Sequence, residues 1–334
     1  MERVEFIVAG LRESLVECLY CTRGCRALIL YDSTTAGAAR TLAEAVRAIG
    51  GEPDLVDLDP YRSLQGGRLE SLPGELRDKI RGGYDATFYA AGVLPGELPF
   101  RRSLIEEAME ARARHVHMPR VNMRVLEAAA ACREAADATM RAFEILQGAR
   151  RVVATAPRGT RLEIEVGGYR WVPDTGVIEP GEWGNWPAGE VYTTPDSVDG
   201  VLVVDGVLGD YFSTKYGVLR EPVRLAIERG RIVEVEGGPV ARELYEYLSS
   251  AGECGLRIGE VGIGTNPAVR EPIGIVLHDE KMPGIHLAAG DPLGEQTGAR
   301  WQCSVHVDMV PLRASVEVGG LRLVSAGRLK VNRL

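Results

Sequence analysis

Five residues between Glu190 and Asp308 have the chemistry to hold a divalent metal ion. Glu190, Glu260, His286, His306 and Asp308 each lie in a Gly-rich or strand-like phrase: GEWGNWPAGEV, IGEVGIGTNP, HDEKMPGIHLAAG and SVHVDMV. Carboxylate oxygens together with imidazole nitrogens form the donor set that zinc, manganese, cobalt or iron accepts. The chain has only five histidines, and three of them sit in these phrases, two, His286 and His306, at strand or loop positions among the candidates. A metal site, and metal-assisted chemistry, is therefore the first expectation. His306 and Asp308 form H-x-D on an apolar run. Residues i and i+2 of a strand share a face, so both can reach one ion. Glu260 is a lone charge in an apolar run, where it must be paired, ligated or at an edge. Glu190 follows Pro187 and Gly189, which stiffen the backbone before it, as a ligand needs; the alternative is an exposed Glu that starts a strand. His286, between Ile285 and Leu287, reads either as a ligand or as a satisfied core histidine.

Other polar residues read more plainly. Glu182 is expected to be an outer or solvated carboxylate. His278, Asp279, Glu280 and Lys281 read as a charged loop. Lys281 belongs there in a surface ion pair or, alternatively, positions a substrate carboxylate or a metal-bound hydroxide. His115 and His117 flank a strand of the first half and read as non-ligands. The stretch YDSTTAGAAR follows a strand and opens a helix, where α/β folds bind anions. It lacks both the G-x-G-x-x-G order and the P-loop lysine, so it reads as an ordinary loop with no nucleotide site. Cys18, Cys21 and Cys25 form C-x2-C-x3-C with no fourth thiolate nearby. They read as structural thiols, with a disulfide or a metal fragment as alternatives.

The elements that position these residues change in texture near residue 150. Before it, residues 3–20 carry a helical apolar face, RALILYD reads as a buried strand, and TTAGAARTLAEAVRAIG as a helix capped by Ser33, Thr34 or Thr35 and ending at Gly50. Strands EPDLVDLD and DATFYAAG and helices at 73–82, 101–114 and 121–147 follow. This alternation predicts a parallel sheet covered by helices. After residue 150, short runs alternate with period two, from RVVATAP to ASVEVGGLRLVSAGRLKV, with hairpin signals at ERGRIV and VGGLRL. One helix, 239–251, interrupts them. The expected fold is an α/β domain at 1–150 and a β-rich α+β domain at 151–334 that carries the metal site.

Bulk properties bound the function. At 334 residues, two domains are the natural expectation. A net charge of −8 argues against nucleic acid as the main partner. No apolar run has the length of a membrane span, and the N-terminus alternates charged and apolar residues unlike a signal peptide. A cytoplasmic protein is expected. Only four of the 39 basic residues are lysine, which suits a thermophile or a GC-rich genome.

In their order, GEWGNWPAGEVYTTP, GEVGIGTNP, DEKMPGIHLAAG and HVDMV resemble the M29 metallopeptidases, the aminopeptidase T-like family. The resemblance implies a homodimeric exopeptidase that removes N-terminal residues of peptides. Its two divalent ions (Zn, Co or Mn) would be held by Glu190, Glu260, His286, His306 and Asp308. Two features depart from that pattern. The family's tyrosine, seven residues after the histidine matching His286, is Leu293 here, and the chain is shorter. In both respects it is closer to a branch that resembles the 2,5-dihydroxypyridine dioxygenases, which use a single iron. His306, Asp308 and one more histidine would then form a two-histidine, one-carboxylate Fe(II) site. The aminopeptidase is the main expectation. The dioxygenase, and a scaffold that keeps its metal for stability, are the alternatives.

Overall fold

The structure, a computed structural model, describes residues 2–330. Met1 and residues 331–334, including the Val331 that closes the last expected strand phrase, lie outside the described residues. The chain forms two compact units. One comprises Met1–Arg133 with Gly176–Ala188, the other Glu134–Thr175 with Gly189–Leu334.

In the first unit, strands β1 (Arg26–Tyr31), β2 (Glu52–Asp57), β3 (Ala86–Ala90) and β4 (Arg114–His117) form a parallel sheet. Their sequences explain this. Leu28, Ile29 and Leu30 are consecutive and all buried, as is every residue of β3, because helices cover both faces of such a sheet. The helices Glu2–Leu19 and Ala36–Ala48 are in place. Thr35 sits at the expected cap of the second, but its side chain does not cap the helix. Its hydroxyl bonds Asp32 instead. The expected helix 121–147 is two helices, Met123–Ala129 and Cys132–Leu146.

The second unit is antiparallel. Its strands are β5 (Arg151–Thr155), β6 (Arg161–Glu165) and β7 (Val172–Asp174). After them β8 (Trp183–Asn185) returns to the first unit, where it pairs with β4 in parallel. Next come β9 (Glu190–Thr193), β10 (Ser197–Val204), β11 (Val223–Glu228) and β12 (Arg231–Glu236). The chain ends with β13 (Ile258–Gly264), β14 (His286–Gly290), β15 (His306–Met309), β16 (Ser315–Val318), β17 (Leu321–Ser325) and β18 (Arg328–Leu329). The sheet orders are β2-β1-β3-β4-β8, β12-β11-β10-β6-β5-β16-β17-β18 and β15-β14-β13-β9-β7. Both hairpins read from the sequence form, β11–β12 and β16–β17.

These units differ from the division placed at residue 150 in two respects. Ala142 and Leu146 join the core of the second unit, so the change falls within the helix Cys132–Leu146. Residues 176–188 return to the parallel sheet through β8.

Two cysteine readings also change. Cys21 bonds Cys25, and Cys254 bonds Cys303, while Cys18 and Cys132 are buried and lie outside both disulfides. The C-x2-C-x3-C run is thus a disulfide beside one thiol, not three structural thiols. Among the described residues no helix is long and apolar enough to cross a membrane.

Candidate metal centre

The five-stranded sheet β15-β14-β13-β9-β7 separates two kinds of side chain by simple alternation. On one face Val191, Val261, Ile263, Leu287, Val307 and Met309 enter the core, each burial contributing about 1.5–3 kcal/mol. The intervening positions carry Asp174, Glu190, Tyr192, Glu260, His286, His306 and Asp308. Cross-strand register brings these together: Asp174 opposes Glu190, and His286 lies across from Gly262, which also opposes Tyr192. Glu260 and Asp308 both face Ala288. Between the polar residues stand Gly262, Gly264, Ala288 and Gly290, which leave room. A Cβ on Gly262 would lie 2.2 Å from His286 Nε2. Gly189, at φ +117, lets the chain pass against Asn266 and enter β9 at Glu190.

All five expected ligands converge. Glu190, Glu260 and His286 place ligand atoms within 4.8 Å of one another, and so do Glu260, His306 and Asp308. Glu260 is shared: Oε1 lies 3.2 Å from His286 Nε2 and Oε2 lies 3.5 Å from His306 Nε2. Asp308 Oδ1 is 3.3 Å from His306 Nε2. His306 Nδ1 lies 2.9 Å from the Asp291 carbonyl. Donating there fixes the tautomer that leaves Nε2 for coordination. The Asp291 side chain also accepts from the N–H groups of Leu293 and Cys303, tying down the loop that precedes β15. His306 is the most open of the five, at 27% side-chain exposure.

The residues fit a cation. Oε2 of Glu190 and Oε2 of Glu260 are buried with no hydrogen-bond partner, a costly arrangement unless a positive charge meets them. Burial alone would lower the pKa of His286. The Glu260 hydrogen bond and the charge of Glu190 overcome it and lift it to about 9. His306 rises likewise, against its burial, because of Asp308 and Glu260. Asp308 is held at about 2, since His306 outweighs its burial. Both imidazoles thus answer an excess of negative charge that a divalent ion would neutralise.

Three residues of the cluster carry no local sequence signal: Asp174, Tyr192 and Glu280. Lys281 is not in a surface pair. It is fully buried and bonds Glu190, with Glu280 at 3.0 Å and Asp174 at 3.3 Å. Residues 278–281 are no solvated loop either. His278 and Asp279 end the short helix Val276–Asp279, are buried, and bond each other at 2.8 Å. Burial pushes Glu280 up to about 8, with Lys281 opposing and Asp308 and Glu190 adding to it. Burial, together with the charges of Glu260 and Glu190, raises the Tyr192 phenol and keeps it protonated. Leu293 takes a left-handed conformation at the start of the helix Gly294–Thr297. The third partner of His306 and Asp308 is Glu260, not a second histidine. Glu182 is exposed, and His115 and His117 are buried on β4; all three belong to the first unit, outside both groups.

Gly262→Ala is expected to lose metal binding while the protein still folds, because the new methyl meets the His286 ring. Equilibrium dialysis with Mn(II) checks this; affinity equal to wild type would show that the ring yields at no cost.

The family model of NicX, 2,5-dihydroxypyridine 5,6-dioxygenase, matches residues 103–331. The 2,5-dihydroxypyridine 5,6-dioxygenase of Pseudomonas putida is 32% identical over 182 residues, 51% of each chain. The match therefore spans about half the length of that relative. The structure of 2,5-dihydroxypyridine dioxygenase from Pseudomonas putida KT2440 superposes with a TM-score of 0.69 at 19% identity, covering 97% of this chain and 96% of that one. AmpT from Thermus thermophilus superposes with a TM-score of 0.66 at 18% identity, covering 97% and 99%. These two share the fold.

Proposed function

The chain belongs to the 2,5-dihydroxypyridine 5,6-dioxygenase family, and on that premise we propose that it is a metal-dependent, ring-opening dioxygenase of a dihydroxylated nitrogen heterocycle. This exchanges the order of the two enzymatic expectations drawn from the sequence, in which the aminopeptidase stood first. The observation that carries the reading is the group Glu260, His306 and Asp308, the more open of the two, on a chain that matches this family. One imidazole and two carboxylates suit Fe(II) or Mn(II). When bound, Fe(II) would supply Lewis acidity toward the ring oxygens and the electrons that O2 activation needs.

The chain's own groups do the rest. The Nδ1–H bond to Asp291 holds the His306 ring in place. Lys281 fixes Glu190, and the core behind the sheet keeps water from its far side. Glu280, with its pKa near 8, holds a proton near neutrality and can exchange it with a ring hydroxyl. Tyr192 offers a hydroxyl that stays protonated.

One feature favours the second reading, a dinuclear aminopeptidase. Glu260 presents one oxygen to each group, as a carboxylate bridging two ions does. The test separates the two. Under Fe(II), the protein is expected to consume O2 with 2,5-dihydroxypyridine and to release no amino acid from leucyl dipeptides under Co(II) or Zn(II). Peptide release without O2 uptake would replace this reading with the second.

A further inference from the structure

We propose that the first unit holds a second ligand site, separate from the metal centre, which binds a nucleoside monophosphate. The sheet order β2-β1-β3-β4-β8 reverses direction between β1 and β3. In open parallel sheets, ligands bind beyond the carboxyl ends of the strands at such a reversal. A cavity of 440 Å³ lies there, lined by residues that follow β1, β2 and β3. That volume falls in the usual range for small-molecule sites. The loop YDSTTAGAAR, which lacks both phosphate-binding signatures, forms part of the wall through Asp32 and Thr34.

The floor is rigid and built from charge. Asp32 ties the two loops together across the reversal. One of its oxygens accepts from Thr34, through the N–H at 3.0 Å and the hydroxyl at 2.5 Å. The other accepts from the Gly92 N–H and from Arg62, both at 2.6 Å. Arg62 also grips Glu97 with two bonds of 2.8 Å and the Gly92 carbonyl at 3.1 Å. Asp32, Arg62 and Glu97 are all buried. Apolar residues of similar volume would often serve stability as well, so this network is better understood as shaping the cavity beside it.

Three kinds of group face the cavity. Asp59, two residues past β2, is held by the Ser33 N–H at 3.0 Å and by Arg62 at 3.4 Å, yet its side chain is 38% exposed. A carboxylate placed after the second strand is where these folds accept the hydroxyls of a ribose. Arg120 supplies the cation that a phosphate monoester needs, in place of a P-loop lysine. Val93 and Leu94 give an apolar strip for a flat base. The diol, the anion and the ring together define a mononucleotide.

Calorimetric titration of the full chain with AMP and with GMP tests this. One equivalent of either should bind. Asp59→Asn should weaken it about tenfold or more, as loss of charged hydrogen bonds does. The 2′,3′-dideoxy form of AMP should bind wild type as weakly as AMP binds Asp59→Asn. Arg120→Met should weaken binding while inorganic phosphate alone competes poorly. His306→Ala, at the metal centre, should bind as wild type. Circular dichroism confirms that each variant is folded. Failure of both nucleotides to bind at millimolar concentration, or binding that Asp59→Asn leaves unchanged, would overturn the proposal.

Discussion

Replacing His306 with alanine is expected to abolish turnover and to weaken metal binding by more than about 100-fold, beyond what loss of an outer-sphere partner costs. The imidazole is the one nitrogen donor in its group, and its Nε2 lies 3.3 Å from Asp308 Oδ1 and 3.5 Å from Glu260 Oε2. Without it, two carboxylates face each other across a site that must still attract the ion. The substitution is partly exposed, so the fold should hold. His117→Ala is the control. That ring is buried on β4, stacked on Tyr89 at 5.1 Å, and its loss opens a void in the first unit without touching any of the five ligands. Metal content measured after dialysis should fall for His306→Ala and stay at the wild-type level for His117→Ala. Equal metal content in both variants would mean that the ion is held elsewhere.

The ligands were legible because each breaks a local rule. A charge in IGEVGIG and two polar groups in SVHVDMV cannot belong to an ordinary apolar strand, and period-two alternation puts His306 and Asp308 on one face. Alternation also marked β5, β6, β11 and β12, and the buried run of β1 marked a parallel sheet. What could not be read depends on partners far away in sequence. Glu280 and Lys281 sit in the run HDEK, which looks solvated. Only the carboxylates of Glu190, on β9, and Asp174, on β7, show why that lysine is inside. β8 is three residues, WGN, of which only Trp183 favours a strand, and it exists because β4 offers an open edge. The Cys254–Cys303 disulfide spans 49 residues with no local mark. Likewise, the choice between one metal and two turns on how Glu260 is shared, a cross-strand fact rather than a motif.

Lys281→Met should cause the largest loss of stability of any single change at the site. The ammonium is fully buried and neutralises Glu190, Glu280 and Asp174. Methionine keeps the volume and removes the charge, so three carboxylates are left facing one another in an apolar setting. Breaking a buried ion pair from one side costs about 3–5 kcal/mol, measured here as unfolding free energy in chelator. The loss should depend on pH with a definite sign. Burial already raises Glu280 to about 8 in the folded protein, against about 4.3 for a free glutamate. A group with its folded pKa raised favours folding below the unfolded value and loses that contribution as pH climbs through the folded value. Removing the lysine, which opposes this rise, carries the folded value higher still. Up to about pH 8 both proteins therefore lose this contribution equally, and the variant should fall further behind wild type only above it. Saturating Mn(II) should recover part of the deficit at pH 8, because an ion bound to the folded state alone stabilises it by mass action. A variant as stable as wild type in chelator at pH 8 would show that the three carboxylates do not depend on Lys281, and the charge-excess account of this centre would fall with it.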